Sequence, residues 1–453
     1  MFRHGVWFDP MIPRLPGAHV VSEALLAGNT ESIRAALMAC ATEAPDLVRL
    51  AGLEDGGMLV TERLLFPEAP TQWQFRTIDP ITPTLLEFDI DVDQVEVLAD
   101  FLRDAGDAPV AEMLDAWPAE EIDLTPFIAE REQHRAPLAR TPGIYRREHA
   151  SLVIQSHTTR VLIDPIGWTS LRAEHNYAPP ALDNVDAIAL THSHGDHWHV
   201  PSLLISARRA DIPVIVPVVP RPNFLCETDF VRDCALLGQT AHALAWHNAL
   251  EVGDIKIEAL PFYGEQPTRD APGPASELRN WGNCYRVTTP QFSCILLVDG
   301  GTDPLGSIAD ACRASCERHG PVDAVLSCQR EFGAPFFGGS LDWPTLPYAR
   351  LQELQRRAAA GTLPSSTAGT LGAAEAAIAA GARYFLPYAN GFEGIGRPIR
   401  DIGWGRGEPS EADCNARMVV EFERRGAATR VVAWNPGEVA VIASGGLVTR
   451  RSE

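Results

Sequence analysis

Lysine is nearly missing from this chain. Lys256 is the one Lys in 453 residues, so arginine supplies almost all of the 38 basic side chains, set against 59 acidic ones for a net charge of −21. That balance argues against a broad grip on a nucleic-acid backbone, which needs basic side chains to displace counterions. It argues equally against adsorption to anionic lipid, and solubility is the plain reading of the acidity. No apolar run reaches the ~20 residues of a membrane-spanning helix. The opening Met1-Phe2-Arg3-His4-Gly5-Val6 has no secretory apolar region. A cytoplasmic protein with no nucleic-acid or membrane partner is expected. The nine cysteines, an odd number scattered from Cys40 to Cys414, form no Cys-x-x-Cys pair. They read as buried, reduced thiols rather than a disulfide or zinc framework. Short-period repeats are missing, and so is a Gly-rich phosphate loop in the first 140 residues. Histidine is scarce too, with 13 residues and none after His319.

Against that scarcity one stretch stands out. His192-Ser193-His194-Gly195-Asp196-His197 follows the apolar run Val185-Asp186-Ala187-Ile188-Ala189-Leu190-Thr191. Histidine is the commonest metal ligand and binds as the neutral ring. A turn with His at i and i+2, then Asp and His at i+4 and i+5, can aim the first pair at one metal and the second pair at another. A polar surface loop rarely carries ligands at this density.

The chain is long enough for two or three domains. Residues 1–140 read as a separate, mainly helical accessory domain, with helical patterns at 32–40, 95–104 and 109–117. The acidic stretch Phe88-Asp89-Ile90-Asp91-Val92-Asp93 reads as a separator between helices, and residues 133–143 as a linker. From Ile144 the pattern alternates. Strands are expected at 151–155, 160–164, 185–191, 213–216, 255–260, 283–288, 293–298, 322–327, 383–386, 429–433 and 439–443. Helices are expected at 201–209, 307–318, 346–359 and 372–380. Two groups of strands with interleaved helices make residues 141–453 an α/β, αββα sandwich.

A strand delivering H-x-H-x-D-H resembles the metallo-β-lactamase superfamily, over roughly residues 143–445. The resemblance implies that Asp164, closing Leu162-Ile163-Asp164-Pro165, supports the ligands from behind. It puts His192 and His194 on one metal, and Asp196 and His197 on a second. The superfamily's next ligand is a His some seventy residues on. This chain has Pro261-Phe262-Tyr263-Gly264-Glu265 there, so Glu265 is the substitute. Asp299, in Leu296-Leu297-Val298-Asp299-Gly300-Gly301, matches the bridging Asp. The superfamily's terminal His follows a late strand, yet Tyr384-Phe385-Leu386-Pro387-Tyr388-Ala389-Asn390-Gly391-Phe392 has none. Asn390, Glu393 or water is left to fill that place.

Carboxylate in place of imidazole makes a harder, more anionic ligand set, which suits iron or manganese better than zinc. Within the superfamily, Glu at this position resembles the diiron β-hydroxylase of chloramphenicol biosynthesis, which uses O2 to hydroxylate an aminoacyl group held on a carrier protein and also has a distinct N-terminal domain. The resemblance implies two metal ions, iron first with zinc or manganese as alternatives, and Asp196, Glu265 and Asp299 as catalytic residues. It implies a small-molecule or carrier-bound substrate and an external electron donor. The N-terminal segment would dimerise the chain, cover the site or dock the substrate, and Arg146-Arg147 is a basic pair that could serve docking. Two other readings stand beside the oxygenase. One is a zinc or manganese hydrolase of a lactone, thioester or phosphodiester, with Asp196 as base or second-metal ligand. The other is a metal-binding module without catalysis. His157 and His199 read as surface or supporting residues, Trp198 as packing beside the site, and Tyr263 as a pocket wall or proton donor.

Overall fold

In the computed structural model the described residues are, apart from single positions, 6–10, 69–79, 84–104, 110–115, 140–166, 185–207, 211–264, 279–331, 365–391 and 409–451. Two sheets lie face to face. The first has eight strands, in the order Gly446–Arg451, Glu438–Ala443, Gly143–Arg146, Leu152–Gln155, Arg160–Ile163, Ala187–Ala189, Val214–Pro217 and Ala241–Leu244. The second has seven, in the order Ala249–Val252, Ile255–Pro261, Asn283–Thr288, Ser293–Leu296, Ala324–Ser327, Tyr384–Pro387 and Arg430–Val431. Each begins antiparallel and turns parallel, at Arg160–Ile163 in the first and at Ser293–Leu296 in the second.

Strand alternation sorts the side chains into layers. Ile144, Leu152, Ile154, Val161, Ile163 and Ala187 meet Ile257, Ala259, Tyr285, Leu296, Leu326 and Leu386 between the sheets. Their neighbours Tyr145, Val153, Leu162, Ile188 and Val214 face outward to Val200, Leu203 and Leu204 of the helix Val200–Ser206, and to Phe230 and Cys234 of the helix Phe230–Leu236. Beyond the second sheet, Leu260, Ile295, Val325 and Phe385 pack on the helices Ile308–His319, Gly369–Ala379 and Glu411–Arg424. The order is the αββα sandwich expected from the sequence. Local chemistry sets the helix ends. Ser307 accepts from the Asp310 N–H at 3.1 Å, and Gly320 stops the same helix at φ 79°. Ser410 and Asp413 form a capping box on the last helix. Among the described cysteines all are free, seven buried and Cys316 intermediate. No helix among the described residues is long and apolar enough to cross a membrane.

The N-terminal segment amends its mainly helical reading. The helices Val95–Asp104 and Val110–Asp115 are there, but so is a three-stranded antiparallel sheet of Val6–Pro10, Gln72–Asp79 and Thr84–Asp91. The stretch taken as an acidic separator is the end of that last strand. Leu86, Phe88 and Ile90 turn inward while Glu87 and Asp89 stay exposed, a period of two hidden by the density of acid. Phe75, Phe88 and Phe101 surround Trp117 with ring centroids 4.9–5.7 Å away. Phe8, Trp73, Phe75, Leu98 and Leu102 share one apolar cluster with Leu203, Leu204 and Phe230, so this segment roofs the outer helices of the first sheet. The expected helices at 32–40 and 346–359 fall largely or wholly outside the described residues.

Candidate metal centre

The loops of the candidate centre leave their sheets at one edge. Asp164 follows the strand Arg160–Ile163, and the His cluster follows the parallel Ala187–Ala189. Asp299 follows Ser293–Leu296, and Tyr388 to Gly391 follow Tyr384–Pro387, parallel to it through Ala324–Ser327. Carboxyl ends of parallel strands are where open α/β sheets present ligand loops.

Asp164, fully buried, organises the cluster. Its Oδ1 accepts from the Thr191 N–H at 2.8 Å, and its Oδ2 from Thr191 Oγ1 at 2.6 Å and His197 Nδ1 at 2.9 Å. The Thr191 hydroxyl, having given its proton to Asp164, can accept from His192 Nδ1, 3.1 Å away. Both rings therefore carry a proton on Nδ1 and turn Nε2 to the centre. His192 Nε2 lies 3.1 Å from His194 Nδ1 and 4.0 Å from Asp299 Oδ2. His197 Nε2 lies 3.1 Å from Asp299 Oδ2 and 3.7 Å from Asp196 Oδ2, yet makes a hydrogen bond to neither. The Asn280 amide reaches His194 Nε2 at 3.3 Å. Phe262 stacks on His192 at 5.1 Å, and Gly282 bridges to His192 where a Cβ would strike both rings' residues.

Electrostatics favour a cation here. Burial pushes His192 well below the ordinary imidazole range, with His197 and His194 adding to it, and burial lowers His194 as well. Both shifts favour the neutral ring, the form that binds a metal. Burial alone would raise the Asp196 carboxyl, but His197 and the hydrogen bond from His149 hold it well below the usual carboxylate range. Burial also opposes charge on His197, and Asp196, Asp164 and Asp299 together outweigh it and raise that ring well above its ordinary range. A proton on His197 thus answers the surrounding carboxylates when no metal does. Two triads, His192/His197/Asp299 and His149/Asp196/His197, each gather ligand atoms within 4.8 Å of one another. The buried Nε2 of His197 without a hydrogen bond, aimed between two carboxylates, fits a metal ion.

Backbone strain gathers in the same place. Of five described non-glycine residues at positive φ, four ring the centre: His149 at 49°, Asp164 at 40°, Val298 at 51° and Ala389 at 55°. For β-branched Val298 this conformation costs about 1–3 kcal/mol, a strain typical of functional sites.

Of the residues expected from the sequence, His192, His194, Asp196, His197 and Asp299 converge, with Asp164 behind them. Glu265 and Glu393 lie outside the described residues. The chain is described as far as Gly264, whose N–H donates to Asp303 Oδ2 at 3.1 Å with φ at 89°. Asn390 is not hydrogen-bonded to the histidines. Its Oδ1 accepts from the Gln329 N–H at 2.7 Å, and its Nδ2 donates to Glu411 Oε2 at 2.8 Å, so both ends are engaged away from the histidines. Arg146 is not a docking group either. It is buried, donates through both terminal nitrogens to Glu411 at 2.9 Å, and reaches the Trp434 carbonyl at 2.6 Å. His199 caps the helix Val200–Ser206 through Ser202, and His157 is exposed in the turn at the far end of the strands. Trp198 packs outward, edge-on to Phe230, and Tyr263 meets Trp246 edge-on at 5.7 Å.

His149 was not foreseen. It sits in the turn between Gly143–Arg146 and Leu152–Gln155, closed by the Ser151 N–H to Glu148 carbonyl bond of 2.8 Å. Its Nε2 lies 2.9 Å from Asp196 Oδ2. The signal that could have found it is the hairpin itself: a strand running against Arg160–Ile163 must begin at the edge where Asp164 ends.

Comparison with known proteins bears on the fold. Residues 159–287 match the model of the beta-lactamase superfamily domain. No curated relative matches the chain. The solved structure of CmlA, a diiron β-hydroxylase from Streptomyces venezuelae, is 15% identical and covers 100% of this chain and 99% of its own, with a TM-score of 0.56. A mutant of the CmlA β-hydroxylase gives 0.58 at 15% identity over 99% of both chains. A possible metal-dependent hydrolase from Veillonella parvula is 14% identical over 67% of this chain and 100% of its own, with a TM-score of 0.42. The segment 159–287 is thus similar to the beta-lactamase superfamily domain, and the chain has the metallo-β-lactamase fold.

Proposed function

We propose that this protein is a two-metal, O2-dependent oxygenase that hydroxylates an amino-acid-derived or carrier-bound substrate, with iron as its metal. The observation that carries the reading is the donor set. Asp196 and Asp299 converge on the buried Nε2 of His197, and the loop after Tyr384–Pro387 brings no imidazole. So anionic a set favours iron or manganese over zinc. The likeness to a diiron β-hydroxylase along the length of both chains supports it. His192, His194 and Glu265 would hold one metal, Asp196 and His197 the other, with Asp299 between them. Bound iron would supply the binding and reduction of O2. The protein's share is to fix the imidazole tautomers through Asp164 and Thr191 and to keep His192, His197 and Asp299 buried. Hydroxylation balances as R–H + O2 + 2 e⁻ + 2 H⁺ giving R–OH + H2O, so an external reductant must deliver the electrons.

The test is anaerobic loading with ferrous iron, elemental analysis and O2 uptake in the presence of a reductant. Two irons per chain and reductant-dependent O2 consumption are expected. Protein that holds only zinc and cleaves an ester or thioester without O2 would overturn the reading. That outcome is the second reading, a metal-dependent hydrolase, and the superfamily domain at 159–287 is the observation that favours it. In it a bound metal would supply the acidification of water, and Asp196 would accept the proton.

A further inference from the structure

The loop after Tyr384–Pro387 lacks an imidazole, yet an imidazole stands against it. The Ala389 N–H donates to the His149 carbonyl at 3.2 Å, and the Gly391 N–H donates to His149 Nδ1, also at 3.2 Å. His149 is 5% exposed, its ring lies edge-on to His197 at 5.2 Å, and its Nε2 is 2.9 Å from Asp196 Oδ2. The side chain is thus placed where a further ligand of the second metal would be sought, and it enters from the opposite end of the chain.

The polarity of its contacts decides its role. A ligating histidine offers the lone pair of one nitrogen and donates the N–H of the other to an acceptor. His192 and His197 obey this, since their Nδ1 atoms face Thr191 Oγ1 and Asp164 Oδ2. His149 is reversed. Its Nδ1 faces a backbone N–H and must offer a lone pair, so the neutral ring carries its proton on Nε2, the atom that meets Asp196. We infer that His149 is a positioning residue and not a ligand: it donates Nε2–H to Asp196 Oδ2 and so orients a carboxylate that would hold the second metal. The second metal would then be held by Asp196, His197 and Asp299. The strained turn at His149, φ 49°, delivers the ring to Asp196.

This inference rests on the two-metal reading, and its test separates the two. Stepwise binding of Mn(II) to the metal-free full-length protein is measured by calorimetry, with elemental analysis of the loaded protein, for the parent, His149→Ala, His149→Gln and His149→Glu. Gln can donate from nearly the same point but is a poor ligand, whereas Glu can ligate and cannot donate. Far-ultraviolet circular dichroism of each variant checks the fold. The expected result is two metals in the parent, second-site affinity weakened roughly 10–100-fold in His149→Ala, recovery in His149→Gln, and no recovery in His149→Glu. Recovery with Glu but not with Gln would make His149 a ligand and overturn the inference. Unchanged binding in His149→Ala would also overturn it. A parent that takes up only one metal would fail the two-metal reading itself.

Discussion

Asp164 does more for the centre than any single ligand, because it sets two tautomers at once. One carboxylate, buried at the end of Arg160–Ile163, holds the Thr191 amide, the Thr191 hydroxyl and His197 Nδ1. Asp164→Ala should leave the Thr191 hydroxyl free to rotate and His197 free to present the wrong nitrogen. Metal affinity should fall about 10–100-fold with secondary structure retained, read by metal titration and circular dichroism. Unaltered affinity would mean that the rings are oriented by packing alone. Asp164 was legible in the sequence as the end of a strand, and the six-residue cluster announced itself. His149 was not, for a physical reason: it precedes a strand, while the other groups that gather at this edge follow one.

Among the elements, one polar tie joins the start of the fold to its end. Arg146, on the strand Gly143–Arg146, clasps Glu411 in the first turn of the helix Glu411–Arg424 and also reaches the Trp434 carbonyl. Glu411 in turn accepts from Asn390, so the loop under His149 hangs on the same carboxylate. Removing one partner of a buried pair leaves the other's charge uncompensated. Arg146→Ala should cost about 3 kcal/mol in denaturant unfolding. A change under roughly 0.5 kcal/mol would show the pair to be solvated in practice. Strands with continuous apolar runs, such as Val214–Pro217 and Ala324–Ser327, were legible by pattern. The strand Gly143–Arg146 was missed because Pro142-Gly143 reads as a linker. The helix Glu411–Arg424 was missed because only Cys414, Met418, Glu421 and Phe422 are buried on it.

Across the whole molecule the N-terminal segment and the outer helices share one apolar cluster, and a carboxyl lies within it. Asp233, on the helix Phe230–Leu236, is 2% exposed, and its Oδ1 has no hydrogen-bond partner. Burial pushes it from 3.8 up to about 7, against the pull of Arg232. Its folded state therefore holds a proton that the unfolded chain has already lost between these values. Asp233's contribution is most favourable below pH ~4, declines as pH rises to about 7, and is level above that. Asp233→Asn should flatten this slope and stabilise the protein at pH 8 by an amount on the order of 2–4 kcal/mol. Parallel unfolding curves for variant and parent from pH 4 to 8 check it. A constant difference across that range would show that Asp233 keeps an ordinary acidity.

The sequence by itself determined the αββα sandwich and the metal-ligand cluster, because strand periodicity and ligand spacing are local: each is written within a few neighbouring residues. It also fixed the order in which Asp164, the cluster and Asp299 follow their strands. Only the tertiary structure decided which nitrogen of each ring faces the centre, that Asn390 and Arg146 are engaged elsewhere, and that His149 stands against Asp196. Those outcomes rest chiefly on hydrogen bonds between residues 21 to 288 positions apart, such as Asn390 to Glu411 and Arg146 to Trp434. Pairings of that reach are set by how the sheets close on each other, and no window of sequence contains them.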